Sequence, residues 1–170
     1  MDAPSHFVVL GLEPSFDIDA AALERNYLGA QQRHHPDRFA AGSVAERRAA
    51  METSAGLNEG YRVLRDPVRR AEYLCKLGGI DLDVTGDGGA PAMSQAFLIE
   101  MIERREALAQ TREHGAVALD ALRERVELER EQTLDRAAAA LRLGKIRDAA
   151  TGLVELRYLA RILDEIDGGA

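Results

Sequence analysis

Apolar residues recur along this chain every three or four positions, and no segment shows the every-second-residue alternation typical of a half-buried strand. This pattern predicts an all-α protein in which each helix buries one face. The clearest stripe lies in the last predicted helix, from Lys145 to about Ile166. Its predicted buried residues are Ile146, Ala149, Leu153, Leu156, Ala160 and Leu163.

Helix-start signals organise the N-terminal part of the chain. A short apolar segment at residues 6–12 comes first. Asp19 is a favourable N-cap for a helix over residues 20–34, because a carboxylate accepts hydrogen bonds from the free amides of the first turn. Ser43 and Glu46 match a capping box that begins the next helix. The predicted buried stripes of these two helices are Leu23, Tyr27 and Ala30 in the first, and Ala50, Ser54, Leu57, Tyr61 and Leu64 in the second.

Proline and glycine residues mark further helix boundaries and loops along the chain. Pro67 can be the first residue of a helix that continues to about Leu77. Residues 78–93 are rich in Gly and Asp, which predicts a linker or an ordered loop. Gly144 separates the last two helices so closely that they must be antiparallel neighbours. The predicted organisation is an N-terminal helical hairpin domain with short flanking helices at 1–77, a linker at 78–93, and a C-terminal three-helix bundle at 94–170, with helices at 94–111, 116–143 and 145–166.

Composition and charge exclude several classes of function. The net charge of -7 disfavours binding to nucleic acid or to an anionic membrane. No apolar run approaches the roughly 18 residues of a membrane span, and the acidic N-terminus lacks the basic region of a secretory signal. The single cysteine, Cys75, excludes an internal disulfide and is interpreted as a small buried residue, although it could supply one ligand at an interface. We therefore expect a cytoplasmic protein.

The tripeptide His35-Pro36-Asp37 ends the first long helix. Proline disfavours helical geometry at the preceding residue, so the chain must turn and hold His35 and Asp37 in a solvent-facing loop. Arg25, Arg33 and Arg38 surround this loop with positive charge. A contact with another molecule is one interpretation. A solvated turn in which the aspartate caps local amides is the other, and the tripeptide alone favours it.

The sequence gives little support for a catalytic site or a metal site. No further His, Cys or carboxylate pattern completes a metal shell around His34 and His35, and a loop tip offers no pocket for acid–base catalysis. A calcium loop beginning at Asp81 fails because Thr85 and Ala92 stand where ligands are required. We expect no catalytic residues, no metal and no cofactor.

Residues 97–108 carry apolar side chains on more than one helical face. A stripe of Phe97, Met101 and Leu108 is expected in a bundle core. The remaining apolar residues, Leu98, Ile99 and Ile102, lie largely off that stripe. They either widen the core contact or form an exposed patch for a protein partner. Glu103 and Glu106 would give such a patch an acidic rim.

A larger set of residues resembles the J-domain family of co-chaperones over roughly residues 4–77. Besides the tripeptide it consists of His6-Phe7, Leu10-Gly11-Leu12, Leu57-Asn58, Tyr61, Leu64, Asp66-Pro67, Arg70-Ala71 and Tyr73-Leu74. Arg38 stands where many J-domains have lysine and keeps the positive charge. The segments RAEYL and FLIEMIERREAL extend the resemblance to the HscB family of iron–sulfur cluster co-chaperones, over nearly the whole chain and most weakly through residues 116–143.

The resemblance implies an L-shaped all-α fold and two contact sites. The chaperone-binding residues would be Arg25, Arg33, His35, Pro36, Asp37 and Arg38. The residues that bind the scaffold protein would be Leu98, Ile99, Ile102, Glu103, Arg105, Glu106 and Tyr158. The family usually has methionine at position 99 and phenylalanine at position 158, so the packing of Ile99 and Tyr158 could differ.

The implied function is that of a co-chaperone, which is not an enzyme. It would stimulate the ATPase of an HscA-like heat-shock chaperone and deliver an IscU-like iron–sulfur scaffold protein to it, and we expect a monomer. One alternative is a general J-protein with another client. The other is a helical phosphotransfer protein using His34 or His35, which fits poorly because such chemistry requires an exposed histidine in mid-helix.

Overall fold

The computed structural model describes residues 4–168 and is helical throughout that range apart from turns and loops. The helices are α1 (His6–Val9), α2 (Ala20–His34), a 3₁₀ helix (Pro36–Phe39), α3 (Val44–Arg65), α4 (Pro67–Leu77), α5 (Gln95–Glu113), α6 (Ala116–Arg142) and α7 (Ile146–Ile166). Within these described residues there is no strand, and a single β-bridge joins Asp81 to Gly89. The all-α prediction is confirmed.

Both predicted helix caps are present. The Asp19 carboxylate accepts hydrogen bonds from the amides of Ala21 at 2.9 Å and Ala22 at 3.2 Å. Ser43 and Glu46 form the reciprocal capping box, with the Ser43 amide donating to Glu46 Oε2 at 2.7 Å. That backbone hydrogen bond holds the pKa of Glu46 below its usual range.

The chain divides into two compact units, the first ending at Leu74 and the second beginning at Cys75. The core of the first unit brings α1 against the α2–α3 hairpin. Its largest buried side chains are Phe7, Leu10, Leu23, Leu57 and Leu64. Gly60 is buried inside α3, where a Cβ would lie 3.3 Å from Leu10 Cδ1 and 3.4 Å from the His6 Cβ. Glycine is unfavourable within a helix, but here it allows α1 to approach α3 closely.

The second unit is built on α6 and α7, which are joined by three residues around Gly144. Buried residues of α7 begin as predicted at Ala149, Leu153 and Leu156. Three other residues of the predicted stripe, Ile146, Ala160 and Leu163, are only half-buried, although Leu163 still packs against the core. The buried residues in this part of α7 are Leu159 and Ile162, which the predicted stripe left out. These two residues form a cluster with Met101 of α5 and Val126 of α6, so the stripe turns around α7 to face α5 as well as α6.

Residues 78–93 form a loop that belongs to the second unit. Lys76 pairs with Asp81 at 2.6 Å, and Arg157 of α7 donates to the Leu82 carbonyl oxygen and to Asp83, each at 2.9 Å. Two hydrogen bonds lower the pKa of Asp81. The larger effect comes from Lys76 and the smaller one from the Asp83 amide. The division at 1–77, 78–93 and 94–170 stays a prediction. Among the described helices, none is both long and apolar enough to cross a membrane.

Candidate functional site

The tripeptide His35-Pro36-Asp37 lies where α2 ends. His35 has an extended backbone, as expected before proline, and Pro36 then begins the one-turn 3₁₀ helix. The expected polar loop therefore contains a short helical turn. We call residues 35–37 the loop site.

Asp37 presents its carboxylate to solvent, with 90% of the side chain exposed. Its amide donates to His35 Nδ1 at 3.3 Å, so the histidine ring caps this turn. The Asp37 carboxylate lies 3.4 Å from the same ring nitrogen. The turn is solvated, as the alternative interpretation expected, but it is the His35 ring and not the Asp37 carboxylate that caps a local amide. A contact of this carboxylate with a partner stays a prediction.

The three predicted arginines are all exposed, but they lie at different places. Arg38 folds back and donates to the Gln32 carbonyl oxygen at 3.4 Å, and Arg33 lies in the last turn of α2. Arg25 lies 3.7 Å from Asp19. Ten residues of helix place it about 15 Å before His35, so it belongs to the exposed side of α2 and not to the loop itself.

Three apolar side chains of α5 form the second candidate surface. Leu98, Ile99 and Ile102 are 38%, 56% and 58% exposed. Met101 and Leu108, on the other side of the helix, are buried, and Phe97 packs at the edge of the core cluster. The structure therefore shows these three side chains exposed, and their use by a protein partner stays a prediction. We call Leu98, Ile99 and Ile102 the α5 patch.

Charged residues border the α5 patch at helical spacing. Glu103 and Glu106 are exposed and leave their carboxylates available on the same side of the helix. Arg105 is exposed too, but it donates to Glu165 of α7 at 2.7 Å. That ion pair joins Arg105 to Glu165 of α7. The charges of Glu103 and Glu106 are therefore more available to a partner than that of Arg105.

Tyr158 lies at the margin of this surface. Its half-buried ring meets Phe97 edge-on at 5.5 Å between centroids, and the Arg161 guanidinium lies 5.6 Å from the ring centre. Phe97 immediately precedes Leu98. The structure therefore brings Tyr158 next to the helix that carries the α5 patch and holds it partly in the core.

One group near the loop site was missed in the sequence. Tyr27 and Gln31 of α2 both donate to the side-chain carbonyl oxygen of Asn58 on α3, the first at 2.8 Å. Ser54 donates to Gln31 Oε1 at 3.2 Å. The only signal was two polar pairs spaced four residues apart on facing helices.

Cys75 is fully buried, with its sulfur 3.9 Å from the Ile146 carbonyl oxygen. Over residues 4–168, no three His, Cys, Asp or Glu side chains are grouped to hold a metal.

Comparisons with known sequences and with solved structures point to the same family of proteins. Residues 93–167 match a family model described as the HSCB C-terminal oligomerisation domain. A co-chaperone protein HscB homolog of Burkholderia multivorans is 38% identical over 95% of this chain and 91% of its own length. One of Bordetella pertussis is 38% identical over 98% and 96%.

Solved structures are similar over the same extent. Chaperone HscB from Vibrio cholerae superposes with a TM-score of 0.79 and 30% identity, covering 97% of this chain and 96% of its own. Human co-chaperone protein HscB gives 0.82 and 27%, covering 98% and 82%.

Proposed function

The chain belongs to the HscB family of co-chaperones, and we propose that it stimulates the ATPase of an HscA-like heat-shock chaperone while delivering an IscU-like iron–sulfur scaffold protein to it. The observation that carries the proposal is that two exposed candidate surfaces lie in different units. The loop site is in the first unit and the α5 patch is in the second. One chain thereby offers separate contacts for two partners.

The loop site supplies the chaperone contact. An exposed carboxylate beside a rigid proline can accept charge-assisted hydrogen bonds from a cationic group of the chaperone. Arg33, Arg38 and Arg25 add a basic surface that attracts an acidic partner despite the net negative charge of the chain. Stimulation then requires the loop site to bind the hydrolysis-competent conformation of the chaperone more tightly than the resting one.

The α5 patch, with Glu103, Arg105, Glu106 and Tyr158 around it, supplies the scaffold contact. Its exposed apolar side chains gain free energy when a partner removes them from water. The acidic rim steers a basic partner and fixes its orientation more than it adds affinity.

Carrying both contacts on one chain raises the local concentration of scaffold protein at the chaperone. Faster ATP turnover would then favour transfer of the cluster from the scaffold. In this proposal the chain is a cytoplasmic monomer without catalytic residues, metal or cofactor. It is organised as a J-domain at 1–77, a linker at 78–93 and a scaffold-binding bundle at 94–170. The matching family model is described as an oligomerisation domain, so the proposed monomer needs its own test. We expect the mass in solution to be that of one chain, and a multiple of that mass would refute the monomer.

The test is an ATPase assay with a purified HscA-like chaperone, with and without an IscU-like scaffold protein. We expect stimulation by this chain alone and a larger, synergistic stimulation when the scaffold is present. Stimulation that is indifferent to the scaffold would leave a general J-protein. Absence of any stimulation would overturn the proposal.

A further inference from the structure

Four polar side chains clasp α2 to α3 one helical turn before the loop site. The Asn58 side-chain carbonyl accepts from Tyr27 Oη and Gln31 Nε2, and the other end of the Gln31 amide accepts from Ser54 Oγ. The Tyr27 ring also stacks on Tyr61 at 4.2 Å. We call Tyr27, Gln31, Ser54 and Asn58 the polar clasp.

Packing of the hairpin becomes thinner toward the loop site. Among the large buried side chains of α2 and α3, Leu23 and Leu64 lie beyond the clasp as seen from the loop site, and Leu57 lies level with it, next to Asn58. Ala30 is level with the clasp, and between the clasp and the loop site the buried residue of the two helices is Ala50. Small side chains give few dispersion contacts, so they define the separation and register of two helices weakly. Directional hydrogen bonds must supply what packing does not.

We propose that Asn58 is a positioning residue for the chaperone contact, acting through the clasp to hold the last turn of α2 and hence Asp37 in place. Gln31 is the link, because it lies four residues before His35 and both ends of its amide are used. This inference rests on the proposed function of the loop site and adds a residue more than 20 positions away in sequence.

The chemistry of the clasp provides a matched pair of variants. Asn58→Leu keeps the approximate size but removes the acceptor, leaving the Tyr27 hydroxyl and the Gln31 amide without their partner. Asn58→Asp keeps an oxygen that accepts both donors. Asn58 is exposed, so water can satisfy the released donors and the fold survives, but water does not define the position of α2.

The experiment measures chaperone ATPase at saturating concentrations of wild type, Asn58→Leu and Asn58→Asp, each shown to be folded by circular dichroism. Hydrogen exchange over residues 32–40 is measured in parallel on the chain alone. We expect maximal stimulation by Asn58→Leu to fall about fivefold or more, in the range of ordinary coupling and misplacement effects, while Asn58→Asp stays near wild type. Exchange over residues 32–40 should be faster in Asn58→Leu only.

Two results would overturn the inference: wild-type stimulation by Asn58→Leu, or equal losses in both variants. If wild type itself stimulates nothing, the proposed function fails. The exchange measurement then still decides the positioning role, which is refuted if residues 32–40 exchange equally in Asn58→Leu and wild type.

Discussion

The loop site and the α5 patch are built by different physical means. The loop site is three residues at the end of a helical hairpin, ordered by a proline and a histidine cap, and its key group is a single charge. The α5 patch is three apolar side chains on a 19-residue helix whose opposite side is buried in the bundle. A polar contact of the first kind depends on one group in the right position, whereas a contact of the second kind depends on area. The two should therefore fail independently and to different degrees.

Removing the charge at the loop site should have the largest effect. Asp37→Asn is expected to lower ATPase stimulation by about tenfold or more, because a charge-assisted hydrogen bond is replaced by a neutral one. Scaffold binding should be unchanged in a titration of purified proteins. Asp87→Asn, at an exposed aspartate of the second unit, is the control and should be silent in both assays. Loss of scaffold binding by Asp37→Asn would show that the loop site and the α5 patch do not act independently.

The reciprocal lesion lies in the α5 patch. Ile102→Ala combined with Glu103→Lys should weaken scaffold binding by about tenfold, since it removes apolar area and reverses a rim charge. Stimulation without scaffold should stay at the wild-type level. Val117→Ala with Glu124→Lys makes the same kind of change on exposed residues of α6 and should leave both activities intact. If the control weakens binding equally, general charge and not the α5 patch is responsible.

Two glycines of α3 allow the stability of the first unit to be changed without altering the residues of the loop site. Gly56→Ala meets nothing within 4 Å and should stabilise the first unit by about 1 kcal/mol. Gly60→Ala meets Leu10 and His6 and should destabilise it by about 1 kcal/mol, because overpacking outweighs the gain in helix propensity. Urea denaturation measures both. Stimulation per folded molecule should be equal in the two variants. A difference would mean that the loop site responds to the stability of its unit.

Acid should weaken the first unit slightly through His6. Burial lowers the pKa of His6 below its ordinary value of 6.5, against an opposing effect of Glu59. Between the folded and unfolded pKa values the unfolded chain binds more protons, so stability is full above about pH 6.5 and falls as pH drops through the lower folded pKa. The urea midpoint of wild type should therefore fall more between pH 7.5 and 5.5 than that of His6→Gln. Equal shifts would show that His6 does not contribute.

How much could be predicted from the sequence differed between the two surfaces. Pro36 ends α2 for a local reason, and the caps at Asp19 and Ser43 are local as well, so these elements follow from neighbouring residues. The exposure of Leu98, Ile99 and Ile102 did not follow from the pattern alone, because an apolar face can serve a wider core equally well. It depends on where α6 and α7 lie, which is a tertiary property.

Tertiary packing also explains the features that were missed or wrong. The stripe of α7 turns toward Leu159 and Ile162 because α5 packs there, and no periodicity within α7 encodes that neighbour. The polar clasp depends on Gln31 and Asn58 facing each other across two helices 27 residues apart in sequence. Each helix shows only a polar pair spaced four residues apart, and such a pair does not indicate which other helix it contacts.

In the proposed function, the two contacts cooperate only when one chain carries both. The most direct test mixes Asp37→Asn with the Ile102→Ala, Glu103→Lys variant at equal concentrations, in the chaperone ATPase assay with scaffold protein present. Each variant keeps one contact, but no single chain carries both. We predict stimulation no greater than that of the α5 patch variant alone, because the scaffold is no longer tethered to the chain that contacts the chaperone. Recovery of the wild-type synergy by the mixture would show that the two contacts need not lie on one chain.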